Sequence, residues 1–213
     1  MEKQRHYFMN VEHSPEDYFS FNIEYRAYKF NINSCKDIFS KDELDNGTKV
    51  LLDTVLDQVV TDVSVPASFL DMGCGYGIIG MVLGLYYPKS TVDMLDINKN
   101  AVDLAKKNTI NNRINNVRDV FVSDGYTNVI NSYDYIITNP PIKAGKKNLF
   151  MLVGESIYHL NDGGKIVLVI RKDHGEESLR KMMEETFGNC EILKRSEGFY
   201  ILCSQKRKGN PVW

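Results

Sequence analysis

The chain has 213 residues, 43% hydrophobic and 25% charged, with a formal net charge of −2. That length suits one full domain with an appendage, and that composition excludes collagen-like, fibrous and disordered classes. The longest apolar stretch, Ile78 to Tyr87, has ten residues, against roughly 20 for a bilayer span, so no membrane segment is expected. The opening MEKQRHYF lacks the apolar stretch of a secretory signal, which points to a cytoplasmic protein. Cys35, Cys74, Cys190 and Cys203 show no CxxC or histidine-paired spacing, so free thiols and no metal site are expected. His6, His13, His159 and His174 also lack ligand spacing and read as packing or surface residues.

From Tyr18 to Ile32 apolar and polar residues alternate with period two, which predicts an N-terminal hairpin. Asp45 to Thr48 supply capping chemistry for a helix carrying Val50, Leu51, Val55, Leu56 and Val59 at helical spacing. Hairpin and helix are read as an extension over residues 1–60, followed by a main domain over 61–213. From Ser68 onward short apolar runs alternate with amphipathic segments, the pattern of an α/β fold with a buried parallel sheet. The predicted strands are Ser68–Asp71, Thr91–Asp96, Val117–Val122, Tyr133–Thr138, Lys165–Ile170, Cys190–Lys194 and Phe199–Ser204. The predicted helices are Ile78–Tyr86, Lys99–Asn108, Asn148–Leu160 and Glu176–Phe187, with Met182-Met183 as helix core and Gly163-Gly164 and Gly188 marking helix ends. Only a short turn at Glu197-Gly198 joins the last two strands, so they must be antiparallel neighbours.

The strongest local pattern is Phe69-Leu70-Asp71-Met72-Gly73-Cys74-Gly75-Tyr76-Gly77, a strand running through an acid into alternating glycines before a helix. Such glycines admit positive φ and let the backbone approach a ligand, although a plain tight turn is the alternative. A dinucleotide GxGxxG would need glycine where Ile78 stands, so pyrophosphate is disfavoured and GxGxG fits. Asp96 ends the second strand, placed to accept from ribose hydroxyls or to cap the next helix. Asp124 ends the third, where it is placed to meet an adenine amine.

Asn139-Pro140-Pro141-Ile142 ends the fourth strand. Tandem prolines fix φ and hold Asn139 extended, displaying its amide beside a backbone carbonyl; a strand-ending turn is the plain alternative. Two such acceptors take both N–H bonds of an exocyclic amine and aim its otherwise delocalised lone pair at an electrophile. No histidine base is required.

These residues resemble the class I S-adenosylmethionine-dependent methyltransferases over residues 68–204 at least. The resemblance implies a Rossmann-like fold: a seven-stranded, mostly parallel sheet with one antiparallel strand, preceded here by the hairpin and helix. It implies S-adenosylmethionine as cofactor, held by Asp71, Gly73, Gly75, Gly77, Asp96, Ile97, Asp124, Gly125 and Asn139, with catalysis at Asn139, Pro140, Pro141 and Ile142. NPPIKAGKK, with DNGTKVLL upstream and HLNDGGKIVLVIRK downstream, is similar to the ribosomal RNA small-subunit guanine-N2 methyltransferase group. The best-known bacterial members of that group carry an additional domain before the catalytic one, where this chain has its short extension. Methyl transfer to a guanine exocyclic amine in ribosomal RNA is thereby implied. Ile142 stands where adenine-N6 and protein-glutamine methyltransferases usually have an aromatic residue, which favours guanine. Gly47-Thr48 are read either at the cofactor's methionine end or in the helix cap.

Residues 1–138 carry 13 Lys+Arg against 19 Asp+Glu, and residues 139–213 carry 13 against 9. Lys143, Lys146, Lys147, Arg171 and Lys172 follow neighbouring strands and are expected on one rim facing RNA phosphates. The Lys206-Arg207-Lys208 tail is read as a further contact or a solvated terminus. Two alternatives accompany this reading: a protein glutamine-amide methyltransferase and a non-catalytic RNA-binding protein on the same fold. A nicotinamide-dependent dehydrogenase is disfavoured by Ile78.

Overall fold

Alternation of polar and apolar residues gives the hairpin its two strands, β1 (Tyr18–Tyr25) and β2 (Tyr28–Cys35), paired in register from Tyr18↔Cys35 to Tyr25↔Tyr28. The computed structural model describes residues 14–36, 38, 43–140 and 145–209. After helix α1 (Asn46–Thr54), which widens into a π turn over Val55–Val59, the chain enters a seven-stranded sheet. Its strands are β3 (Ser68–Met72), β4 (Thr91–Asp96), β5 (Val117–Val122), β6 (Tyr133–Thr138), β7 (Leu160–Arg171), β8 (Glu191–Ser196) and β9 (Phe199–Gln205). They lie in the order β5-β4-β3-β6-β7-β9-β8, all parallel except β9, which runs against both neighbours. The expected architecture is therefore present, with the reversed strand set inside the sheet rather than at its edge.

Helices α2 (Ile78–Tyr86), α3 (Lys99–Asn111), α4 (Lys146–Glu155) and α5 (Glu176–Phe187) cover the sheet. Strand side chains alternate, so Phe69, Met94, Ile137 and Val167 join one apolar cluster with α1, α2, α3 and the hairpin. Leu70, Leu95, Ile136 and Leu168 join a second with α4 and α5, and it includes Met183, as the sequence reading expects. His159 packs its ring on Tyr126, with centroids 4.4 Å apart.

Two expectations need correction. Gly163-Gly164 does not end a helix but lies inside β7, near an irregularity in its pairing with β6 between Tyr133 and Tyr135. A Cβ on Gly164 would stand 2.8 Å from the Tyr133 carbonyl oxygen, so only glycine permits that approach. The helix placed over Asn148–Leu160 instead starts at Lys146, ends at Glu155 and gives way to a short 3-10 turn over Ser156–Tyr158. In this way Leu160 is released into β7.

After β3 the chain winds outward to β4 and β5, then returns to the other side of β3 to form β6. The crevice of a doubly wound sheet opens at such a reversal, between diverging connections at the carboxyl ends of the strands. Here those ends belong to β3 and β6, and the Thr138 hydroxyl donates to the Met72 carbonyl (2.8 Å) to tie them together.

The hairpin is fastened to the same region by side-chain amides. Asn108 accepts from the Asn33 backbone N–H (2.7 Å) and donates to the carbonyls of Asn33 (2.9 Å) and Tyr76 (2.9 Å). One turn later Asn112 exchanges the same pair of bonds with Asn31, both at 2.8 Å. Asn108 is fully buried, so its loss strands three backbone groups away from water. Replacing Asn108 by Ala is expected to lower unfolding free energy by roughly 2–4 kcal/mol in chemical denaturation, and Asn112→Ala by roughly 1 kcal/mol. Faster hydrogen exchange at the Asn33 amide in the Asn108 variant locates the defect.

Candidate active site

The glycine loop after β3 leans on the end of β4. Gly73 and Cys74 both donate to the Leu95 carbonyl at 2.9 Å, and Gly75 donates to Asp96 Oδ2 at 3.0 Å. Gly73 and Gly75 have φ of +74° and +55°, and a Cβ on Gly73 would meet nothing within 4 Å. The outer face of Gly73 is therefore open space that a ligand can approach, while a Cβ on Gly75 would touch Ile38 Cγ2 at 3.9 Å. Gly77 differs: a Cβ there would lie 3.1 Å from Ala105 Cβ, so this glycine brings α2 close to α3.

Asp96 is buried, its Oδ2 taking the Gly75 amide and its Oδ1 the Asn98 amide at 2.9 Å. Capping of α3 falls to Asn98, whose side chain accepts from the Asn100 N–H, which leaves Asp96 to the crevice. Ile97 is half-buried between them, and Asp124 is exposed at the end of β5 beside Gly125. The Ser123 N–H donates to the Asp96 carbonyl (3.0 Å), so these two strand ends are neighbours.

Asp71 sits deeper than its motif suggests, fully buried under α2. Its Oδ2 accepts from the Gly80 N–H at 2.8 Å, while Oδ1 has no hydrogen-bond partner among the described residues. Burial pushes its carboxyl up to about 7, against the opposing Gly80 bond and with added repulsion from Asp96. Asp96 is raised by burial too, and the Cys74 thiol between these acids is pushed well up. Two buried acids with no ion-pair partner among the described residues suit a ligand that brings a cation.

Asn139 follows β6 with its amide nitrogen 3.0 Å from Asp45 Oδ2 and 2.8 Å from Thr48 Oγ1. Asp45 is the N-cap of α1, accepting from the Thr48 N–H at 2.9 Å. Sequence reading treats Asp45 only as a cap, because its second partner lies 94 residues away. Gly47 and Thr48, left open between cofactor and cap, belong at least to this cap. Pro140 is buried beside Asn139, whereas Pro141, Ile142 and Lys143 lie outside the described residues, as do His6 and His13.

Lys146 and Lys147 are exposed on the first turn of α4, and Arg171 and Lys172 are exposed at the carboxyl end of β7. Parallel neighbours β6 and β7 end at the same edge of the sheet, and Arg171 and Lys172 stand at that edge. Arg171 lies over the Phe199 ring, 5.6 Å from its centroid, a contact sequence spacing did not flag. Lys206 does not join them: because β9 runs in reverse, Lys206 emerges at the opposite edge and bonds the Leu160 carbonyl (2.8 Å). No group of metal-ligating side chains occurs among the described residues, and none of their helices is long and apolar enough to cross a membrane. The four cysteines are free thiols.

Residues 29–203 match the family model described as methyltransferase small domain. A Bacillus subtilis relative, "Uncharacterized protein YbxB", is 32% identical over 94% of this chain and 98% of its own length. The Vibrio cholerae ribosomal RNA small subunit methyltransferase C is 28% identical over 88% of this chain and 53% of its own length, so the chain spans about half of that relative. Among solved structures, T. thermophilus 16S rRNA N2 G1207 methyltransferase (RsmC), in complex with AdoMet and guanosine, superposes with a TM-score of 0.80. It is 21% identical, covering 92% of this chain and 52% of that one, a likeness of fold. With its family model spanning most of the sequence from β2 to β9, the chain belongs to the methyltransferase small domain family.

Proposed function

We propose that this chain transfers the methyl group of S-adenosylmethionine to an exocyclic amine, the N2 of a guanine in small-subunit ribosomal RNA. The observation that carries the reading is the Asn139 amide, anchored through its nitrogen at the mouth of the β3/β6 crevice, next to the glycine loop and its two buried acids. Within this reading residues 61–213 form the catalytic domain and 1–60 an extension that covers it. The names of the small-subunit relatives support the RNA acceptor, as does the exposed rim of Lys146, Lys147, Arg171 and Lys172.

The residues present fit the cofactor. The unpaired Asp71 oxygen suits its ammonium group, the open face of Gly73 and the adjoining Gly75 turn its methionine chain, Asp96 its ribose hydroxyls, and Asp124 with Ile97 and Gly125 its base. S-adenosylmethionine supplies the electrophilic methyl on a sulfonium. Asn139 Oδ1 and the Pro140 carbonyl accept the two amine hydrogens, which localises the nitrogen lone pair and points it along the line of displacement. The bound cofactor would supply the methyl and leave as the neutral thioether, and the methylated nitrogen would release one proton to water. The acceptor base would be presented unpaired or extruded.

Asn139→Ala is expected to lose about 10²–10³-fold in methyl transfer while S-adenosylmethionine affinity changes little. Equal loss of both would remove Asn139 from the acceptor side. With labelled cofactor and small-subunit RNA, nucleoside analysis is expected to place the label in N2-methylguanosine; label confined to protein would favour the glutamine-amide alternative.

Asp71 adds a pH test. Its folded pKa of about 7 exceeds the unfolded 3.8, so its protonated form stabilises the fold below the unfolded value, and this contribution is lost as pH rises through about 7. The slope in that window is on the order of 1.4 kcal/mol per pH unit. Without added cofactor, Asp71→Asn is expected to gain stability relative to wild type from pH 4 to 7 in denaturation series. A pH-independent difference would contradict the assignment.

A further inference from the structure

Asp45 does more than cap α1. Its Oδ2 accepts from the Thr48 N–H (2.9 Å), the Thr48 hydroxyl (3.2 Å) and the Asn139 amide (3.0 Å), and only the first is needed to start a helix. Thr48, itself buried, directs its one hydroxyl proton to Asp45 and therefore meets Asn139 as an acceptor, at 2.8 Å. Both acceptors converge on a single nitrogen.

An asparagine amide has two edges of similar shape and opposite polarity, and its partners decide which way it faces. An ionised carboxylate can only accept, so the NH2 edge of Asn139 must face Asp45 and Thr48. The carbonyl oxygen is thereby turned away from them. A flipped amide would set its oxygen against the Asp45 carboxylate and offer hydrogens to an amine that has only hydrogens to give. Bonding to a carboxylate also polarises the amide, increasing the negative charge on Oδ1.

The first turn of α1 is built to hold the carboxylate there. A Cβ on Gly47 would lie 3.0 Å from Asp45 Oδ2 and 3.0 Å from the Phe199 ring, so a side chain at residue 47 would press on the carboxylate and push it from its place. Leu51, Leu52 and Val55 bury the helix against the sheet. We infer that Asp45 and Thr48 are positioning residues that lock Asn139 with its carbonyl oxygen toward the acceptor amine. This inference rests on the amine-methylation reading above.

The test separates orientation from folding and from choice of acceptor. Asp45→Ser retains a capping oxygen but is too short to reach Asn139; Asp45→Asn retains an oxygen at full reach; Thr48→Val removes one acceptor and keeps the shape. With labelled S-adenosylmethionine and small-subunit RNA, Asp45→Ser is expected to lower kcat at least about tenfold with the cofactor KM nearly unchanged. Thr48→Val should fall between that variant and wild type, and Asp45→Asn should stay within about threefold of wild type. In parallel, the side-chain amide signals of Asn139, assigned through Asn139→Asp, are followed by nitrogen-15 NMR. They are expected to lose their protection from solvent exchange in Asp45→Ser and to keep it in Asp45→Asn. Unchanged Asn139 signals in Asp45→Ser, or an Asp45→Asn as impaired as Asp45→Ser, would overturn the inference. If wild-type protein methylates no RNA, the acceptor reading fails while the amide signals still decide the positioning.

Discussion

Two carboxylates buried at the ends of adjacent parallel strands set the terms for the rest of this molecule. Asp71 and Asp96 stand in a region where desolvation penalises charge, and no basic side chain among the described residues forms an ion pair with either. Backbone amides do what they can: Gly80 from the first turn of α2, Gly75 from the loop, Asn98 from the entry to α3. Each donor exists because a helix or turn begins where it does. The positive φ of the glycine loop and the close approach of Gly77 to Ala105 serve the same arrangement. One oxygen of Asp71 is left over, a buried acceptor with no hydrogen-bond partner among the described residues.

The elements before the sheet belong to this economy. The hairpin packs Phe21 edge-on against Tyr76 of the glycine loop, with ring centroids 5.9 Å apart, while Asn108 bonds that same residue's carbonyl. On the other side of the crevice the start of α1 grips Asn139. The N-terminal segment thus touches both walls, the glycine loop through aromatic and amide contacts and Asn139 through a carboxylate.

Much of this was legible in the sequence where the determinants are local. Strands over 91–96, 117–122 and 133–138 and helices over 78–86 and 176–187 have the bounds expected from apolar runs closed by glycine or a polar cap. The acidic strand ends and the glycine spacing are equally local. What resisted reading depends on partners distant in sequence. Gly163-Gly164 looks like helix punctuation until Tyr133 and Lys206 are seen against it. Asp45 reads as a cap because its Asn139 bond spans 94 positions. The depth of Asp71 comes from α2 folding over it, which periodicity does not encode. The Lys206 tail was separable from the rim in principle, since reversal of the last strand decides the edge at which it emerges.

The paired asparagines of α3 have one more implication. Two residues along a strand advance about 6.8 Å and four along a helix about 6.0 Å, close enough for Asn108 and Asn112 to engage Asn33 and Asn31 in turn. Strand pairing in general can slip by two residues and still satisfy its backbone. A helix bearing two amides cannot accept that slip, because one of them would lose its mate. The hairpin and α3 therefore act as scale and index mark for each other.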